Sequence, residues 1–295
     1  MLPKLEMFIA LAREQHFGRA AESLGLTQPT LSTGIKQLEE TLGVQLVRRG
    51  SRFGGLTPEG QRALVWSRRI VGDARRLREE MRAAREGLAG HLRLAVIPTA
   101  LTWASRLAAG YAARHPKVDF TILSRNSGDI LTMLENFEAD AGLSYLDNEP
   151  LGRVTSVPLY RENYAALFTP GHPFAVREAI GWADLAGTRL CLLTPDMQNR
   201  RIINRAFMEA GVEPAVGMVS NSTQVLASHV ASGGWATVLP EEVARFLAAG
   251  KGLGVVPIGQ HMPGPAVGLV ALHQEVYTPV LKSLLDEAAE MSTMD

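Results

Sequence analysis

Gln28, Thr30, Ser32, Thr33, Lys36 and Gln37 place short hydrogen-bonding groups and one cation within residues 28–37. On a helix they lie opposite Leu31, Ile35, Leu38 and Leu42, which recur at i, i+4, i+7 and i+11 and predict a buried face. Such groups hydrogen-bond base edges when a helix enters a major groove, while flanking residues grip phosphate. A solvated helix face carries the same residue types, so the reading depends on what surrounds it. Arg48, Arg49 and Arg52 follow in a segment with Gly50, Gly54 and Gly55 that reads as a hairpin able to straddle a backbone. Guanidinium groups pair with phosphate through two parallel hydrogen bonds and stay charged when partly desolvated. The candidate nucleic-acid contacts are therefore Gln28, Pro29, Thr30, Ser32, Thr33, Lys36, Arg48, Arg49 and Arg52.

Catalytic signatures are missing from the sequence. The histidines at 16, 91, 115, 172, 229, 261 and 273 have no metal-ligand spacing, and no zincin helix, nucleophile elbow, phosphate loop or dinucleotide fingerprint occurs. Cys191 is alone and lies in the apolar run Leu190–Leu193, which predicts an inert core thiol. No enzyme, metal or cofactor is expected.

The elements that must carry the polar face are short helices with tight breaks. Leu5, Phe8, Ile9 and Ala12 predict a first helix, and Arg19–Leu24 a second, stopped by Gly25. Thr27 caps the third, whose first turn tolerates Pro29. Beyond Thr57-Pro58, the residues Ala63, Ser67, Ile70, Ala74, Leu77, Met81, Ala84 and Leu88 alternate in steps of four and three. That 3.5-residue period predicts a coiled-coil seam between two copies of the chain, although one helix packed on its own domain would show it too. Gly87 and Gly90 end the helix. Strands and helices then alternate: strands over 91–97, 118–124 and 141–145, with helices over 100–114 and 129–137 between them. This order predicts an α/β domain on a largely parallel sheet, with ligands at the carboxyl ends of strands.

Charge divides the chain in the same place. Residues 1–93 hold 16 Lys and Arg against 10 Asp and Glu, whereas residues 94–295 hold 14 against 20, so the net charge is zero. A basic first third suits a polyanion and the acidic remainder requires another partner. At 295 residues, with 46% apolar and 20% charged residues, the chain is long enough for two folded domains and too apolar for disorder. No apolar run reaches the ~20 residues of a membrane helix. A cytoplasmic location, with no membrane partner, is the expectation, and the single cysteine agrees with a reducing compartment.

In the order Leu5, Phe8, Phe17, Ala20-Ala21, Leu24, Thr27-Gln28-Pro29, Leu31-Ser32, Ile35-Lys36, Leu38-Glu39, Leu42-Gly43, Leu46, Arg48, Leu56-Thr57-Pro58-Glu59-Gly60, the chain resembles LysR-type transcriptional regulators. His115-Pro116, Phe137–Asp140, Gly171-His172-Pro173, Asp184–Gly187 and Gly233–Pro240 extend the resemblance across most of the sequence. It implies a winged helix-turn-helix over 1–60, a dimerising linker helix and hinge over 61–90, and a two-lobed effector domain over 91–295 like periplasmic binding proteins. Lobe I would comprise 91–162 and 266–295, and lobe II 163–265. It further implies a homotetramer on a partly palindromic operator, a small effector in the interlobe cleft, and contact with RNA polymerase if the protein activates. Val47 stands where the family usually has Phe, and Gly34 where it usually has a larger polar residue, which predicts the loss of one base contact.

The resemblance also places effector contacts at Thr99, Ala100 and Thr102 after the first strand of the domain. Asn126 and Ser127, the stretch from Thr194 to Arg201, and Asn221 would face them. Free amides at a helix start, with two hydroxyls and an arginine, predict a carboxylate or another small anion as effector. A ligand-binding protein without DNA function is the alternative reading, and it leaves the first ninety residues unexplained.

Overall fold

The computed structural model describes residues 1–48, 53–147, 152–259 and 264–292. The chain divides into two compact units, Met1–Gly87 and Leu88–Asp295.

The first unit holds α1 (Leu2–Glu14), α2 (Phe17–Ser23), α3 (Gln28–Leu42) and α4 (Pro58–Glu86). Leu5, Phe8, Leu11, Ala20, Ala21, Leu31, Ile35, Leu38, Leu46 and Val47 form its core, so the apolar stripe of each short helix turns inward. The second helix starts two residues earlier than expected, because the His16 ring accepts the Arg19 amide and caps it. The stripe of α3 also ends sooner than its spacing implied: Leu42 is exposed, as is Leu24. Gly34 is a further correction. It faces the core rather than solvent, where a Cβ would come within 2.3 Å of the Met7 sulfur. Glycine here lets α1 and α3 approach closely, and removes no base contact.

After α3, Val47 pairs with Leu56 across an antiparallel bridge, flanked by Arg48 N to Gly55 O at 3.0 Å and Thr57 N to Leu46 O at 3.0 Å. Two side chains fasten this hairpin to the helices. Glu39 of α3 accepts the amides of Leu46 and Val47 at 2.7 and 3.1 Å. Thr57 donates to Gln45 O at 2.6 Å while accepting the Gly60 amide at 2.9 Å, so one hydroxyl anchors the hairpin and caps α4. Gly60 is buried with Leu46 O only 2.0 Å from where its Cβ would stand. The first turn of α4 can lie on the hairpin backbone only because residue 60 has no side chain.

Helix α4 runs 29 residues. The early part of its predicted seam is used at home, with Ser67 buried and Ala63, Leu64 and Val71 packed on the first-unit core. Val65, Trp66, Ile70, Leu77 and Met81 are exposed, so the seam opens from Ile70 onward.

The second unit contains β1 (Gly90–Val96), α5 (Leu101–Arg114), β2 (Val118–Ser124), α6 (Ser127–Glu135), β3 (Ala141–Tyr145), β4 (Val154–Arg161), β5 (Tyr164–Phe168), β6 (Arg189–Leu193), α7 (Gln198–Glu209), β7 (Ala215–Ser220), α8 (Thr223–Ala231), β8 (Ala236–Pro240), α9 (Glu241–Ala248), β9 (Gly254–Pro257), β10 (Ala266–Leu272) and α10 (Pro279–Ser292). They build two five-stranded sheets, β2-β1-β3-β10-β4 and β7-β6-β8-β5-β9. Each is parallel except for one reversed strand: β10 opposes β3 and β4, and β5 opposes β8 and β9. Both reversed strands follow a crossover between sheets. The first crossover is Glu162-Asn163, and Glu162 N bonds Pro265 O on the returning segment at 3.0 Å. Separate apolar clusters lie against each sheet, so each lobe has its own core.

Gly60→Ala should destabilise the first unit by roughly 1–3 kcal/mol through overpacking against Leu46 O. Gly110→Ala, in α5 with open space at its Cβ position, should instead be neutral or stabilising by up to about 1 kcal/mol. Denaturant melts of both variants check the pair.

Candidate DNA interface and effector cleft

Thr27 fixes the start of α3, accepting the Thr30 amide at 3.4 Å, and Pro29 sits in the first turn. Gln28, Pro29, Thr30, Ser32, Thr33, Lys36 and Gln37 are then all exposed, while Leu31, Gly34, Ile35 and Leu38 are buried. One face of α3 is thus donors, acceptors and a cation. The Thr30 hydroxyl is 2.8 Å from that of Thr27, which orients it along the helix start. Lys36 reaches Glu40 only at 3.9 Å with both side chains largely exposed, a pairing weak enough to yield to a phosphate. Arg48 is exposed on the first strand of the hairpin. Arg49 and Arg52 lie outside the described residues.

In the second unit, Thr99 and Ala100 are buried in a single 3-10 turn after β1, and Thr102 is half-buried in the first turn of α5. Asn126 caps α6 by accepting the Asp129 amide at 2.8 Å, and its amide nitrogen points across to Asp196 of the other lobe at 3.5 Å. Ser127 is buried with its hydroxyl unpartnered. Thr194, just beyond β6, is the foremost influence holding the Asp196 carboxyl below the usual range. Arg201 is exposed and committed locally, donating to Gln198 Oε1 at 2.5 Å and Asp196 O at 3.0 Å. Asn221 is exposed after β7. Asn126, Asp196 and Arg201 thus come together, as do Thr99 and the residues described next; among the described residues no side-chain hydrogen bond joins Thr102 or Asn221 to either group.

The crossover puts Glu162 where both lobes reach it. Its carboxylate is 2% exposed and accepts from Tyr145 of β3 at 2.9 Å and Tyr164 of β5 at 3.3 Å, both on Oε2. Asn199 of α7 donates to both phenol oxygens at 3.3 Å, and Thr99 lies 3.2 Å from Tyr145 Oη. Burial pushes the Glu162 carboxyl up to about 7, against the hydrogen bonds from Tyr145, Thr99 and Tyr164 that favour its charge. The same burial raises both tyrosines further. A second bridge between lobes runs through Arg106 of α5, which pairs with Glu242 of α9 and lies over the Trp103 ring, itself stacked on Tyr160.

Glu162, Tyr145 and Tyr164 were absent from the sequence expectation, whereas Asn199 lies within the stretch 194–201 expected to face the cleft. The available signal was a lone acid between two strands at the expected lobe boundary, but Arg161-Glu162-Asn163 reads equally well as an exposed polar turn.

This architecture is matched by two family models. Residues 2–61 match the bacterial regulatory helix-turn-helix protein, lysR family, and residues 85–292 match the LysR substrate binding domain. The chain belongs to the LysR family. It is a DNA-binding transcriptional regulator of LysR type and not an enzyme. The LysR relatives include a "Probable hydrogen peroxide-inducible genes activator" from Mycobacterium avium, 30% identical over 90% of this chain and 86% of that protein. The "DNA-binding transcriptional dual regulator OxyR" of Escherichia coli K12 is 29% identical over 90% of this chain and 87% of its own length. A full-length OxyR structure from Pseudomonas aeruginosa superposes with a TM-score of 0.73 at 26% identity, covering 99% of this chain and 98% of that one. Among the described residues no helix is long and apolar enough to cross a membrane.

A folded-state carboxyl near 7 against an ordinary value near 4.5 fixes the sign of a pH effect. The folded protein holds the proton that the unfolded chain has already released, so stability falls as pH rises from about 4.5 through about 7 and is level above. The full difference is about 3 kcal/mol. Glu162→Gln should remove that slope, leaving the effector unit more stable than the parent at pH 8 and similar at pH 4.5 in thermal melts.

Proposed function

We propose that this LysR-type regulator reads a partly palindromic operator through α3 and the hairpin, and responds to a small effector held between the lobes of Leu88–Asp295. The observation that carries the reading is the division of α3 into one fully exposed hydrogen-bonding face and one buried apolar face. Thr30, Ser32, Thr33 and Lys36, with Gln28 and Pro29 at the helix start, approach bases and adjacent phosphates. Arg48, Arg49 and Arg52 grip backbone. The exposed apolar residues Ile70, Leu77 and Met81 of α4 meet the same helix of a second copy, and pairs of dimers form a homotetramer. RNA polymerase is a further partner if the regulator activates.

Peroxide-inducible relatives make thiol oxidation a reading to weigh. Cys191 is the only cysteine in the sequence and stands inside β6 with 0% exposure. Burial pushes its thiol up to about 11. Peroxide-reactive cysteines are accessible thiolates, and a disulfide needs two sulfurs. A reversibly bound effector fits this chain better than cysteine chemistry. An anionic effector, expected from the sequence, is disfavoured because Arg201 is occupied and the buried carboxylate is Glu162.

Binding to the duplex upstream of its own gene should exceed binding to a scrambled duplex by ~10³-fold or more at matched salt. Equal weak binding at all salts would contradict operator reading. Lys36→Ala should weaken operator binding, and Arg48→Ala should weaken it while lowering the salt slope by about 1. Leu77→Lys should reduce the sedimenting mass, and an unchanged mass would contradict the helical seam.

A further inference from the structure

The Glu162 network is short of hydrogen-bond donors. Tyr145 and Tyr164 each have one hydroxyl hydrogen, and both are given to Glu162 Oε2. Tyr145 Oη therefore acts as acceptor toward the Thr99 hydroxyl, which also favours the Glu162 charge. Both amide hydrogens of Asn199 go to the two phenol oxygens. Every donor in the network is committed. Two acceptors are not: Glu162 Oε1 and Asn199 Oδ1 are both buried and without a hydrogen-bond partner. Buried orphans of one polarity mark the place of a missing complement, since each otherwise costs about 1–3 kcal/mol.

Oxygens from the interlobe crossover and from α7, on side chains joined by phenol hydroxyls of both lobes, require a donor. Resting on the effector-responsive reading above, we propose that the centre of the cleft binds a compact cationic hydrogen-bond donor, a primary ammonium group, through Glu162 Oε1 and Asn199 Oδ1. A carboxylate ligand would bring a second negative charge beside Glu162 and offer acceptors to acceptors. The groups that act on Glu162 are Tyr145, Thr99 and Tyr164, and Glu162 in turn raises Tyr160; no lysine, arginine or histidine is among the influences on its charge.

The ligand and a proton therefore compete for the Glu162 carboxylate. When the ammonium enters, the Glu162 proton leaves to solvent. With the free carboxyl titrating at about 7, affinity should rise about tenfold between pH 6 and pH 8.

Calorimetric titration of the full-length protein with propylammonium chloride, sodium propionate and propanol at pH 6 and pH 8 tests this. The expected result is saturable binding of propylammonium alone, about tenfold tighter at pH 8, with proton release. Glu162→Gln should lose both binding and pH dependence; Asn199→Leu should weaken binding while keeping the pH dependence. Propionate binding in place of the amine, amine binding unchanged in Glu162→Gln, or no binding of any probe (a buried water only) overturns the proposal. Operator discrimination, measured on the same preparation without amine, stands or falls separately.

Discussion

A carboxylate buried without a cation is the constraint around which the effector unit is arranged. Glu162 stands on one of two adjacent strand crossovers, so its position is fixed by the backbone of both lobes at once. Leaving it unsolvated is costly, and the molecule offsets part of that cost with hydroxyls from Tyr145 and Tyr164, oriented by Thr99 and Asn199. Those donors come from β3, β5, the turn after β1, and α7, which means that the polar centre holds only when the lobes are close. The outer bridges, Asn126 to Asp196 and Arg106 to Glu242, are more exposed and so contribute less. Opening and closing of the lobes should therefore be governed mainly at the centre, where an effector can change the balance most.

The DNA-facing unit solves a different problem. A short recognition helix and a hairpin must keep a fixed relation although neither is long enough to be stable alone. Glu39 clamps the hairpin amides to α3, Thr57 ties the hairpin to the start of α4, and Gly60 lets the two backbones touch. The run Leu56-Thr57-Pro58-Glu59-Gly60 thereby acquires a physical meaning: strand end, cap, first helical turn, and close approach.

Much of this was legible before any coordinates. Helical periodicity found α1, α3 and α4, and strand–helix alternation found β1, β2 and β3 within a residue or two, because burial on one face leaves a repeating trace. What escaped depends on contacts distant in sequence. Gly34 looked like a missing base contact, and only the position of Met7 shows that it faces the core. Leu42 kept the α3 period yet remained exposed because the chain turns away at Gly43. Thr99 and Asn126, expected from their place after strands, each hydrogen-bond a residue distant in sequence, Tyr145 and Asp196. Tyr145, Glu162 and Tyr164 carry no local pattern; they meet only because two sheets exchange strands.

The most direct test is to read the Glu162 proton itself. Infrared difference spectra of the parent protein against Glu162→Gln, taken from pH 5 to pH 9, isolate the carbonyl stretch of this one carboxylic acid. A protonated band should be present below neutrality and disappear through about pH 7. A band already lost by about pH 5 would place an ordinary, solvated or cation-paired carboxylate at residue 162 and contradict it.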